Sequence, residues 1–183
     1  MDKNVIKILV VLSLIAVAVA LVLANVYTVT SPLIAANKKA VIKKAVTQVL
    51  PDAKNYEQKR VNGITVFVGK DDSGETVGYA FIAEGAGYAG NISIMAGADK
   101  KLSELRGLYV MEQLETPGLG NRIAEDRFQD QFKGVKISPQ IEYVKNKKPS
   151  KDNEIQAITG ATISSKAVVD NLNKSIARIK KDL

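Results

Sequence analysis

Residues Ile8 through Ala24 are apolar at every position except Ser13, and no charged side chain interrupts the chain between Lys7 and Lys38. A bilayer-crossing helix needs roughly 20 mostly apolar residues, and this run reaches that length by extending through Val26 and Tyr27. A segment apolar on all faces has no polar side to turn to water, which sets it apart from the amphipathic helices of a soluble core. Ala16-Val17-Ala18 and Ala18-Val19-Ala20 offer signal-peptidase-like spacing, yet they lie inside the apolar run rather than after it, so retention as an anchor is the reading. Lys3 and Lys7 flank one side, whereas the other side is neutral for several turns. The positive-inside rule then keeps the N-terminus in the cytoplasm and exports the remainder across the plasma membrane. The expected organisation is an anchor over residues 1–30 and one extracytoplasmic domain over 31–183.

Composition narrows the chemistry of that domain. The 183 residues include no Cys and no His, which excludes disulfides, the usual zinc ligand sets, iron–sulfur ligation and Ser-His-Asp or Cys-His catalysis. No catalytic residue and no metal ligand set is expected, and redox work would fall to a bound organic cofactor. The formal charge of +7 comes with lysine clusters at 38–44, 145–151 and 174–181. Such clusters are solvated surface or contacts to acidic lipid and protein. Nucleic acid is not expected, because aromatic content is 5% with no Trp and no recognition motif accompanies the charge.

Periodicity gives the elements. Ser31-Pro32 reads as a turn or helix start, with an amphipathic helix over Ala35–Leu50 that continues from, or begins just after, the anchor, packs its apolar side on the domain and is stopped by Pro51. Ile64–Val68 and Thr76–Ala83 read as a hairpin joined by the turn Asp71-Asp72-Ser73-Gly74. Ile92–Ala96 and Gly107–Glu112 continue the sheet, Arg122–Phe132 reads as a helix, Ile141–Val144 as a strand and Asn146–Asn153 as a polar loop. A last helix is expected from about Lys166, with Val168, Val169, Leu172, Ile176 and Ile179 on one side and Ser164 or Ser165 as its cap. The fold class is α+β: an antiparallel sheet with flanking helices, plus one N-terminal transmembrane helix.

Two motifs carry the functional reading. In Ile158-Thr159-Gly160-Ala161-Thr162-Ile163-Ser164-Ser165, a small turn bearing hydroxyls runs into a helix, where free N–H groups and the helix dipole favour a phosphate. By itself such a turn is usually only a cap. It resembles, however, the flavinylation motif of the RnfG and NqrC subunits of membrane electron-transport complexes. Glu115-Thr116-Pro117-Gly118-Leu119-Gly120 is similar to a second stretch of that family's FMN-binding domain, and Gly85–Gly90 resembles it more weakly. The family's attachment motif commonly has an acidic residue three positions before the first hydroxyl residue; Gln156 stands there in this chain.

The resemblance implies that FMN is bound covalently on Thr162 by a phosphoester. Thr159, Gly160, Ala161, Ser164 and Ser165 would surround the phosphate, and Glu115, Thr116, Pro117, Gly118, Leu119 and Gly120 would border the ring. It also implies that a separate flavin transferase, using FAD and a divalent metal, makes the bond and releases AMP, so that this chain is the substrate of that step. The implied role is electron relay beside the other subunits of an Rnf-type complex that couples ferredoxin and NAD chemistry to movement of Na⁺ or H⁺. An NqrC-type subunit of a quinone reductase and a membrane-tethered adaptor without cofactor are the alternatives. A hydrolase built on Thr162 or Ser165 lacks a base, because a Ser-x-x-Lys arrangement ending at Lys166 would need a hydroxyl at Ile163.

Overall fold

The computed structural model describes residues 2–182. Contacts divide the chain into two compact units, with the division after Val41. The first unit is helix alone. Helix α1 runs unbroken over Lys3–Val49 and carries Pro32 inside it, so the amphipathic helix continues directly from the apolar segment, and Ser31-Pro32 is neither a turn nor a helix start. Proline lacks the N–H that would meet the carbonyl of Thr28, so the helix gives up one backbone hydrogen bond there without ending. The polar side chains nearby bond within the helix: Asn25 Nδ2 donates to the Leu21 carbonyl at 2.8 Å, Thr28 Oγ1 to Ala24 at 2.7 Å and Thr30 Oγ1 to Val26 at 2.8 Å. Its apolar stretch is long enough to cross a membrane.

The second unit is built on a five-stranded antiparallel meander in the order β1 (Asn55–Val61), β2 (Ile64–Lys70), β3 (Thr76–Ala86), β4 (Asn91–Ala98) and β5 (Leu105–Gln113). A sheet buried on one face alternates along each strand, but β2 and β4 are buried at nearly every position because helices cover both faces. On one face the end of α1 packs Ala45, Val46, Val49 and Leu50 against Phe67, Ala80 and Met95. A side chain at Gly97 would collide with the Val49 carbonyl, so glycine there lets helix and sheet touch. On the other face α3 (Thr162–Ile179) sets Val168, Val169, Leu172, Ile176 and Ile179 on Val66, Phe81, Ala83 and Ile94.

Three departures from expectation have local causes. β1 is a strand that the sequence hides, since its polar outer residues Glu57, Gln58, Lys59 and Arg60 are exposed and it pairs only with β2. The expected helix over Arg122–Phe132 is three short pieces: a 3₁₀ turn over Gly120–Ala124, helix α2 over Asp126–Gln129 and a second 3₁₀ turn over Asp130–Phe132. Glu125 is extended and breaks the run, while Gln129 donates to the freed Ala124 carbonyl at 2.7 Å and accepts from Val110 N of β5 at 2.9 Å, which ties the segment to the sheet. Beyond it β6 (Glu142–Val144) pairs in parallel with β7 (Glu154–Gln156), a strand too short to leave a pattern.

Candidate functional site

Helix α3 begins at Thr162, with Ala161 as its N-cap, four residues before the expected Lys166. Neither serine caps it. Ser165 is fully buried inside the first turns; its hydroxyl donates to the Ala161 carbonyl and accepts from Ile158 N, both at 3.0 Å. That pair closes the approach loop onto its own helix. The first intrahelical bond runs from Ser165 N to Ala161 O, leaving the N–H groups of Thr162, Ile163 and Ser164 without an acceptor in the helix. Thr162 is half-buried at this end.

Gly160, at φ +84°, reverses the chain ahead of the helix, and a side-chain carbon there would sit 3.5 Å from Leu119 Cδ2. The Glu115–Gly120 loop therefore lies beside the loop that leads into α3. Gly118, at φ +76°, has open space around it, so glycine is required by the backbone turn rather than by crowding.

Glu115 ties the arrangement together. Its carboxylate is buried, and Oε1 accepts from Tyr88 N at 2.8 Å and Ala89 N at 3.1 Å while Oε2 accepts from the Ser164 hydroxyl. One side chain thus joins the β3–β4 turn, the loop after β5 and the start of α3. A carbon on Gly87 would strike Oε1, and one on Gly120 would lie 2.5 Å from both Oε2 and Ser164 Oγ. Both glycines make room for this carboxylate.

The three segments enclose a cleft of about 390 Å³ lined by Tyr88, Glu115, Thr116, Leu119, Gly120, Gly160, Ala161, Thr162, Ile163 and Ser164. Eight of the expected site residues are among these. Thr159 lines a different cleft, Ser165 is enclosed in the helix, and Pro117 and Gly118 are exposed outside the lining. Tyr88 and Ile163 were not expected at the site. Tyr88 has a sequence signal in the glycine-rich stretch around it; Ile163 has one in being apolar on the face of α3 that turns away from the core.

The five large apolar side chains exposed on the second unit, among the described residues, are Tyr56, Tyr88, Leu114, Leu119 and Ile163. Tyr88, Leu119 and Ile163 line the cleft, and Leu114 packs by Gly90 next to Glu115. Exposed apolar groups gathered at one place mark a surface that something covers.

Residues 87–177 match the FMN-binding domain family. Along nearly its whole length, the chain is 33% identical to the G subunit of the ion-translocating oxidoreductase complex of Methanosarcina acetivorans, covering 96% of this chain and 94% of that one. It is 34% identical to the G subunit of the proton-translocating ferredoxin:NAD(+) oxidoreductase complex of Clostridium ljungdahlii, over 87% of this chain and 83% of that protein. The crystal structure of the C subunit of the Na(+)-translocating NADH-quinone reductase from Parabacteroides distasonis shares the fold, with a TM-score of 0.59 at 28% identity over 70% of this chain and 77% of that one. The fold and cleft define an FMN-binding domain. The chain belongs to the G-subunit family of ion-translocating oxidoreductase complexes.

Proposed function

We propose that Thr162 carries FMN through a phosphoester and that the chain is an electron-carrying subunit of a membrane complex coupling ferredoxin and NAD oxidoreduction to Na⁺ or H⁺ translocation. The observation that carries this reading is the gathering of Tyr88, Leu119 and Ile163 around a half-buried threonine at a helix start. The cleft fits both ends of the cofactor. The unpaired N–H groups of the first turn of α3 favour a phosphate at the Thr162 oxygen, and the exposed apolar side chains offer a planar ring an unhydrated surface. A cleft of about 390 Å³ takes part of a flavin and leaves an edge in reach of a partner.

When bound, FMN supplies the electron chemistry. The chain's own part is to hold and orient it. Glu115 fixes the three walls, Leu119 lies beside Gly160 where the two loops meet, and Ser165 keeps the approach loop on α3. A covalent link retains the group outside the cytoplasm, where residues 31–183 would stand with residues 1–30 as anchor. Met1 and Leu183, the ends of those two segments, lie outside the described residues. Maturation requires a flavin transferase, and the other subunits of the complex and the lipid bilayer are its partners.

The test is to express the full chain with a flavin transferase, denature it, and record both visible absorption and intact mass. A flavin spectrum that stays with unfolded protein, together with the mass of one FMN phosphoester, is expected; Thr162→Ala should abolish both and leave the fold intact. Colourless wild-type protein of unmodified mass would leave the adaptor reading, and flavin retained by Thr162→Ala would move the attachment elsewhere.

A further inference from the structure

A second cleft, of about 230 Å³, opens on the neighbouring stretches of the same two loops. Leu119 and Gly120 face the flavin cleft, whereas Arg122 faces this one; Gly160 to Thr162 face the first, whereas Ile158 and Thr159 face the second. Its polar lining is Arg122, Arg127, Gln131, Gln156, Thr159 and one carboxylate, Glu125. Gln131 is already committed: it accepts from Gln156 N at 2.7 Å and donates to the Gln156 carbonyl at 3.3 Å, which fixes the end of β7. The side-chain amide of Gln156 has no hydrogen bond to protein among the described residues, and Arg127 has no carboxylate within 4.0 Å among them. Arg122 meets Glu125 only through Nε at 3.5 Å and is 39% exposed, a contact of small energy at such exposure.

Two guanidinium groups against one carboxylate leave a net positive charge, beside an amide and the Thr159 hydroxyl that have no hydrogen-bond partner among the described residues. We propose that this cleft binds a phosphate ester. Planar guanidinium forks match phosphate oxygens in pairs, and a tetrahedral dianion offers more acceptor positions to so many donors than a carboxylate does. The volume lies below that of pockets enclosing drug-sized ligands, about 300–1,000 Å³. The occupant is therefore a small ester, or the terminal phosphate of a larger molecule that stays outside. Because Thr159 lies three residues ahead of Thr162, in the loop that leads into α3, a ligand held here steadies the segment that presents Thr162.

The proposal stands independently of flavin attachment, and its test uses full-length Thr162→Ala protein in detergent. AMP, inorganic phosphate and a short Glu-rich peptide are titrated separately and followed by amide chemical shifts. Saturable binding of AMP and phosphate at millimolar concentration is expected, with shifts centred on residues 122–131 and 156–159. Replacing both exposed arginines, Arg122→Gln with Arg127→Gln, should weaken it about tenfold or more, as loss of charge-assisted bonds does. Gln156→Glu should weaken it similarly by placing a carboxylate beside the guanidinium groups. Absence of saturation, or affinity unchanged in these variants, would overturn the proposal, as would tighter binding of the acidic peptide, which would make the cleft a protein-docking socket.

Discussion

Glu115 has a structural role beside the one that the motif marks, since it also lines the cleft. The motif marks it as a cofactor contact, yet its carboxylate is consumed by the backbone of Tyr88 and Ala89 and the hydroxyl of Ser164. That role was illegible because the partners lie 27, 26 and 49 residues away, and no local pattern encodes them. The position of Thr162 was legible in part: small residues, a turn and an apolar stripe put hydroxyls just ahead of a helix expected from about Lys166, which begins four residues earlier at Thr162 itself. Glu115→Ala would strand two part-buried N–H donors and the buried Ser164 hydroxyl, so a loss of about 2 kcal/mol in unfolding free energy is expected from urea titration. Glu115→Gln keeps a carbonyl for the two N–H groups and should lose distinctly less. Equal losses in both variants would mean that the charge, not the geometry, holds the walls.

At the scale of elements, strong period was readable and weak period was not. The β2–β3 hairpin and the stripe of α3 follow their patterns, whereas β7 is three residues long and is held by its ends. Glu154 supplies one end. It accepts from Ser150 N at 2.8 Å, the Ser150 hydroxyl at 3.1 Å and Lys151 N at 3.3 Å, while Lys151 reaches both Glu142 and Glu154, at 3.2 and 3.4 Å. Foremost the Ser150 backbone bond, opposed by burial and aided by the Ser150 hydroxyl and Lys151, holds the Glu154 carboxyl below its ordinary range. A depressed carboxylate stabilises the fold above the unfolded-state value and loses that contribution as pH falls through the folded-state value. Glu154→Gln should therefore melt below wild type at neutral pH, with the two melting curves converging as acid protonates Glu154. A gap in melting temperature that stays constant into strong acid would show that the carboxylate charge plays no part.

For the whole molecule, composition made the apolar helix plain and hid where it joins the domain. The last turns of α1 belong to the second unit, although the same helix begins in a segment with no buried side chains. Patterning alone could not divide it, because Pro32 is a break in most helices and is carried through in this one. The division has an energetic consequence. Val46, Val49 and Leu50 are at most 2% exposed, and full burial of such side chains is worth about 1.5–3 kcal/mol each. Their sum, on the order of 6 kcal/mol, is comparable to the whole stability of an ordinary domain. A chain starting at Asn37 should thus be soluble without detergent and unfold in one cooperative transition. A chain starting at Pro51 would uncover Phe67, Ala80 and Met95 and should aggregate or lose its thermal transition. If the shorter chain melts as cooperatively as the longer one, the end of α1 is an accessory to the sheet rather than one of its two covering layers.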